Sequence, residues 1–67
     1  MEQDPRIDDE AVMRVVADRG PVSTREVAET LGCGRRATEH RLRTLYAGGK
    51  LESTAVGREL LWWPAGE

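Results

Sequence analysis

The sequence predicts a small α+β domain, three short helices followed by a two-stranded β-hairpin, and three observations carry that expectation. Apolar residues recur at helical spacing in three stretches: Val12, Val15 and Val16, then Val27, Ala28 and Leu31, then Leu42 and Leu45. Glycine or proline marks the end of each stretch, at Gly20-Pro21, Gly32-Cys33-Gly34 and Gly48-Gly49. Beyond Gly49 the pattern becomes that of strands, with Leu51 to Ala55 and Arg58 or Glu59 to Trp63 flanking a turn at Val56-Gly57.

Residues 1–7 read as a polar arm, because Pro5 disfavours helix at Asp4 and nothing there is periodic. The first helix begins at Asp8-Asp9-Glu10, where carboxylates cap free amides and complement the helix dipole; a structural use of this triplet is expected over a catalytic or metal-binding one. Val12, Val15 and Val16 form its inner stripe, with Met13 at the edge. The second helix is announced by Val22-Ser23-Thr24-Arg25-Glu26, a capping box with Ser23 as N-cap, Glu26 reaching back and Val22 as the staple residue. It buries Val27, Ala28 and Leu31, points Arg25 and Glu29 outward, and ends at Gly32.

The third helix, 35–47, is the informative one. Stepping about 100° per residue from Arg35 puts Thr38, Leu42 and Leu45 in one narrow sector and Arg36, His40 and Arg43 opposite it, with Arg35 and Glu39 flanking. Two short helices joined by a glycine-flanked turn, the second packing by one face and basic on the other, make a helix-turn-helix shaped for the DNA major groove. The plainer alternative is a solvated charged helix held by Arg35–Glu39 and Glu39–Arg43 pairs four residues apart. A short strand around Pro21-Val22 is placed to pair with the hairpin, and Pro64 is expected to end the second hairpin strand, leaving 64–67 as a frayed tail and 8–63 as the domain.

The chain of 67 residues allows one domain, and a chain of that length buries only about 60% of the surface its unfolded form exposes. Phe is absent, so aliphatics with Tyr46, Trp62 and Trp63 must make the core. Net charge is −2, but it is unevenly placed. Residues 1–18 hold six acids against Arg6 and Arg14, whereas residues 19–58 hold eight basic residues against Glu26, Glu29, Glu39 and Glu52. The basic part therefore coincides with the helix-turn-helix, as phosphate binding requires. The longest apolar stretch, Leu60 to Trp63, is too short to cross a bilayer, and the acidic N-terminus lacks the features of a signal peptide, so a cytoplasmic protein is expected.

Enzymatic readings fail on inventory: one His and one Cys cannot complete a zinc site, and the glycines at 32 and 34 lack the strand, lysine and hydroxyl of a phosphate-binding loop. No catalytic residue, metal or cofactor is expected. Cys33, the single cysteine, excludes an internal disulfide and reads as a small packed thiol. Trp62 and Trp63 are adjacent on a strand, so their rings face opposite sides and one must look outward. One ring is expected to seal the hairpin against the helices; the other either covers the N-terminal arm or anchors a dimer or partner contact.

The order helix, S-T-R-E-V-A-E-T-L-G, third helix, R-L-R-T-L-Y-A-G-G-K-L, hairpin resembles the winged helix-turn-helix domains of bacterial and archaeal transcription regulators over residues 8–63. The resemblance implies a sequence-specific regulator that binds double-stranded DNA. It places Thr24 and Arg25 at phosphates, Gly34, Arg35, Arg36, Glu39, His40 and Arg43 in the major groove, and Arg58 on the wing. The chain departs from the family in three features. Cys33-Gly34 replaces an apolar residue followed by a Ser or Thr cap, Thr38 stands where an aliphatic is common, and the wing tip has only Gly57 and Arg58. The reading from another class is a winged helix that docks on a protein partner through its acidic N-terminal face or a tryptophan patch.

Overall fold

A computed structural model describes residues 8–66 and shows the expected order, three helices followed by a β-hairpin. The polar arm assigned to residues 1–7 lies outside the described residues. Helix α1 spans Asp9–Arg19; the Asp8 carboxylate caps it by accepting from the Ala11 amide at 2.8 Å, and Asp9 and Glu10 occupy its first turn. Val12 and Val16 are fully buried, with Val15 and Met13 half-buried beside them. Strand β1, Val22–Ser23, follows one residue later than expected and leads directly into α2, Thr24–Leu31. Ser23 Oγ accepts from the Glu26 amide at 3.1 Å. The reciprocal half of the capping box is not made, because the Glu26 carboxylate turns instead towards Arg19, 3.8 Å away.

Helix α2 ends in a way that depends on glycine. Gly32 adopts φ 69°, a left-handed conformation costly for any residue with a Cβ, and this lets its amide reach the Glu29 carbonyl at 3.3 Å and the Cys33 amide reach Ala28 at 3.0 Å. That double bond pattern brings the residue after the glycine back onto the helix. Cys33 is therefore half-buried against the core, its Sγ donating to the Leu31 carbonyl at 3.6 Å. Helix α3, Arg35–Ala47, closes by the same pattern, with Gly49 bonded to Tyr46 at 3.0 Å and Lys50 to Leu45 at 2.9 Å.

Strands β2, Leu51–Val56, and β3, Glu59–Pro64, form the wing, and β3 is the centre of a sheet ordered β1-β3-β2 with both pairings antiparallel. The ladder runs one pair beyond expectation, to Val56 opposite Glu59, so the turn is Gly57-Arg58 rather than Val56-Gly57. A positive φ of 63° at Gly57, the first central residue, suits the two-residue turn that matches strand twist. Pro64 does not end the pairing: it lies opposite Leu51, and the Ala65 amide still donates to the Lys50 carbonyl at 3.1 Å. Hydrogen-bonded and non-bonded pairs alternate in an antiparallel ladder, so the bonded pair at Ala65 turns the ring nitrogen of Pro64 away from β2. It faces the side where β1 pairs only with Leu61 and Trp62. No ladder bond is forfeited, and the expected fraying at 64 and 65 is corrected accordingly.

The core contains Val12, Val16, Val22, Val27, Leu42, Leu45, Leu51 and Trp62, drawn from every helix and strand. Among the described residues, Trp62 supplies the only buried aromatic ring. The indole N–H, which would be costly to bury unbonded, donates to Thr24 Oγ1 at 2.8 Å. Tyr46 meets Trp62 edge-on, ring centroids 6.3 Å apart, but is 50% exposed, so it rims the core that it was expected to fill. Thr38 is fully buried; its hydroxyl donates to the Gly34 carbonyl at 2.8 Å, and with that group satisfied its methyl can pack where an aliphatic would.

Candidate nucleic-acid interface

The rotation of α3 determines which side chains face out. Thr38, Leu42 and Leu45 are all buried, so the opposite side carries Arg36, His40 and Arg43 in the open, and these three with Glu39 border a shallow depression of about 320 Å³. Of the two ion pairs expected at four-residue spacing on this helix, one exists. Arg43 holds Glu39 with both Nε and Nη2 at 2.9 Å from the same carboxylate oxygen, whereas Arg35 does not pair with Glu39. Arg14, Arg19 and Arg25 pair with Glu10, Glu26 and Glu29 at 3.4, 3.8 and 3.9 Å, exposed contacts each worth roughly 0–1 kcal/mol. Arg35, Arg36, Lys50 and Arg58 make no ion pair with another described residue. Uncommitted positive charge therefore gathers at the two ends of α3 and at the hairpin turn.

The start of α3 adds donors. Gly34 is its N-cap, with no side chain to accept from the first-turn amides, and that turn holds Arg35 and Arg36 in place of acids. Free amides at a helix N-terminus form an anion site in their own right. Beside it, a cleft of about 140 Å³ opens between the first turns of α2 and α3 and the wing turn. Arg25, Arg35 and Arg58, distant in sequence, all line it, with Glu39 and Glu59 among its other walls. The fold thus brings the expected phosphate contacts Arg25 and Arg58 to the edge of the expected reading face.

Two expected site residues are largely or wholly withdrawn from solvent. Thr24 lines the cleft but is only 7% exposed, and its hydroxyl oxygen accepts from the Trp62 indole N–H, so most of its side chain serves the core. The signal was present in the spacing: Thr24 precedes Val27 and Ala28 by three and four residues and so shares their buried face. Trp62 is 1% exposed and is removed as a dimer or partner contact; Trp63, opposite Glu52 on the outer face of the hairpin, is half-buried and is the member of the pair left for such a role. Arg41, one of the eight basic residues in the positive segment, is committed elsewhere. It reaches Asp9 at 3.2 Å and ties α3 to α1.

Among the described residues no group of three or more His, Cys, Asp or Glu could hold a metal ion, and no helix is long and apolar enough to cross a membrane. Compared with known proteins, the sequence matches no protein-family model and no curated protein.

Proposed function

We propose that this chain is a sequence-specific double-stranded DNA-binding domain of the winged helix-turn-helix class, that α3 enters the major groove, and that its role is transcription regulation in the cytoplasm. The observation that carries the proposal is the face of α3 opposite Leu42 and Leu45, where Arg36, His40 and Arg43 stand exposed beside an uncapped, arginine-bearing N-terminus. Arg25 and Arg58, which share the cleft beside the start of α3, contact phosphates at that end of the reading face, and no catalytic step is assigned to any residue. The main test is duplex affinity as a function of salt, compared with a quadruple alanine variant at Arg35, Arg36, His40 and Arg43. Removing one arginine–phosphate pair should lower the log–log salt slope by about 0.9. A folded quadruple variant with unaltered affinity and slope shows that α3 is not the recognition helix.

On the same reading, contact between two copies on a two-fold DNA site falls to the outer hairpin face at Trp63. Sedimentation of wild type against Trp63→Ser decides this. A wild-type dimer that becomes a folded monomer in the variant supports the contact, and a wild type that is monomeric at all concentrations rejects it.

A further inference from the structure

We infer that Glu39 is a fixed hydrogen-bond acceptor that selects cytosine, so that the preferred duplex carries a C·G pair beneath the middle of α3. The inference rests on the DNA-binding reading above and names the base class that the same face recognises.

The reading face is almost entirely made of donors. Arginine can only donate, and Arg35, Arg36 and Arg43 surround Glu39 at spacings of four, three and four residues, which makes them its neighbours on the helix surface. Glu39 is the one carboxylate on the exposed side of α3, and it borders both the depression shared with Arg36, His40 and Arg43 and the cleft shared with Arg35 and Arg58. It therefore sits on the ridge between them, where a base edge would approach. Its side chain is 38% exposed, within reach of a ligand yet not splayed into solvent.

The carboxylate is also oriented. Arg43 Nε and Nη2 both converge on Oε2 at 2.9 Å, and Oε1 accepts no hydrogen bond from any described residue. Nor is Oε1 among the buried side-chain atoms without a partner, so it is open to solvent. One oxygen is tethered and the other is presented. The guanidinium also offsets a negative charge that would otherwise be repelled by DNA phosphates.

Only two groups in the major groove can donate to such an oxygen, the N4 amino group of cytosine and the N6 amino group of adenine. Adenine presents the N7 acceptor beside its amino group, which suits an amide and opposes a carboxylate. Guanine and thymine present acceptors and are rejected. Cytosine remains, and the guanine paired with it offers O6 and N7 to an arginine, for which Arg35 and Arg36 are the uncommitted neighbours. In this arrangement Arg43 is a positioning residue that acts through Glu39.

The test is selection from a random duplex pool with the full chain, repeated for Glu39→Gln, followed by binding to the selected duplex with its cytosine replaced by 2-pyrimidinone, which lacks the N4 amino group. Wild type should yield a motif with one dominant cytosine. It should bind the 2-pyrimidinone duplex about tenfold or more weakly. Glu39→Gln should shift that position towards adenine, Glu39→Ala should bind the two duplexes alike, and Arg43→Ala should narrow the preference for cytosine over thymine at that position. A wild-type motif without a fixed cytosine, or one unchanged in Glu39→Gln, overturns the inference while leaving DNA binding intact. A folded wild type with no salt-dependent duplex binding overturns both.

Discussion

Helices α1 and α3 share an interior and differ at their first turns. Both bury a stripe of aliphatics in one core, yet α1 opens with a carboxylate cap and two further acids, while α3 opens with glycine and two arginines. The macrodipole puts partial positive charge at every helix start, so Asp9 and Glu10 each stabilise α1 by about 0.3–1 kcal/mol, and the Asp8 cap contributes about 1 kcal/mol more. At α3 the same physics runs in reverse: the partial positive charge of the free amides lies beside Arg35 and Arg36, with no acid in the first turn to offset it. A chain of 67 residues has little stability to forgo. That it keeps an unfavourable helix start in one place and a well-satisfied one in another is the kind of local conflict that collects at binding sites.

The largest expected effect tests the shared interior. Leu42→Ala should cost roughly 2–5 kcal/mol, measured by denaturant unfolding, because the residue is fully buried among side chains from other elements. A change within half a kcal/mol would mean that α3 is rotated, and the contrast between its two faces would go with it. Next comes a loss of affinity with no loss of stability. Arg36→Ala is exposed and unpaired among the described residues, so it should leave unfolding unchanged and cost about 1–3 kcal/mol on the preferred duplex, with little change on random duplex. An equal loss on all sequences would reassign it from base reading to phosphate contact. Smaller again, and opposite in kind, Asp8→Ala should destabilise the fold by about 1 kcal/mol by removing its bond to Ala11, with DNA affinity per folded molecule unchanged. A drop in that affinity would show that α1 takes part in the interface.

The α1 start and the interior of α3 are both legible in the sequence, because capping carboxylates and a three-four apolar repeat are local signals. What escapes a sequence reading is set by tertiary contact. Thr24 has the polarity of a surface residue, although its buried hydroxyl exists to satisfy Trp62, thirty-eight residues away. Arg41 belongs by sequence to the positive segment, yet it pairs with Asp9 on α1. Tyr46 has the hydrophobicity of a core residue, yet its ring sits half-exposed at the rim, edge-on to the buried Trp62. The hairpin ends differ from expectation by a residue for a related reason: whether Val56 and Pro64 pair depends on the partner strand, not on their own propensities. The convergence of Arg25, Arg35 and Arg58 on one cleft has no trace in spacing at all.

The smallest expected effect on stability is the sharpest test of the comparison, because it makes α3 begin as α1 does. Gly34 has φ −67° and ψ 147°, ordinary values for any residue, and a Cβ placed there would meet nothing within 4 Å. Gly34→Asp should therefore introduce a cap without strain and raise stability by a few tenths to about 1 kcal/mol, in proportion to the cap and dipole gained. The same carboxylate would occupy the amides that the wild type leaves open and would neutralise charge beside Arg35 and Arg36. Duplex affinity should fall and the salt slope should become shallower by about 0.9 for one phosphate displaced. Gly34→Ser separates the two causes, since a hydroxyl engages the amides without adding charge. If serine weakens binding as well, the amides themselves meet a phosphate; if only aspartate does, the effect is the charge. If both variants are stabilised and both bind as the wild type does, the open start of α3 is not a DNA contact, and the difference between the two helices has no functional meaning at that end.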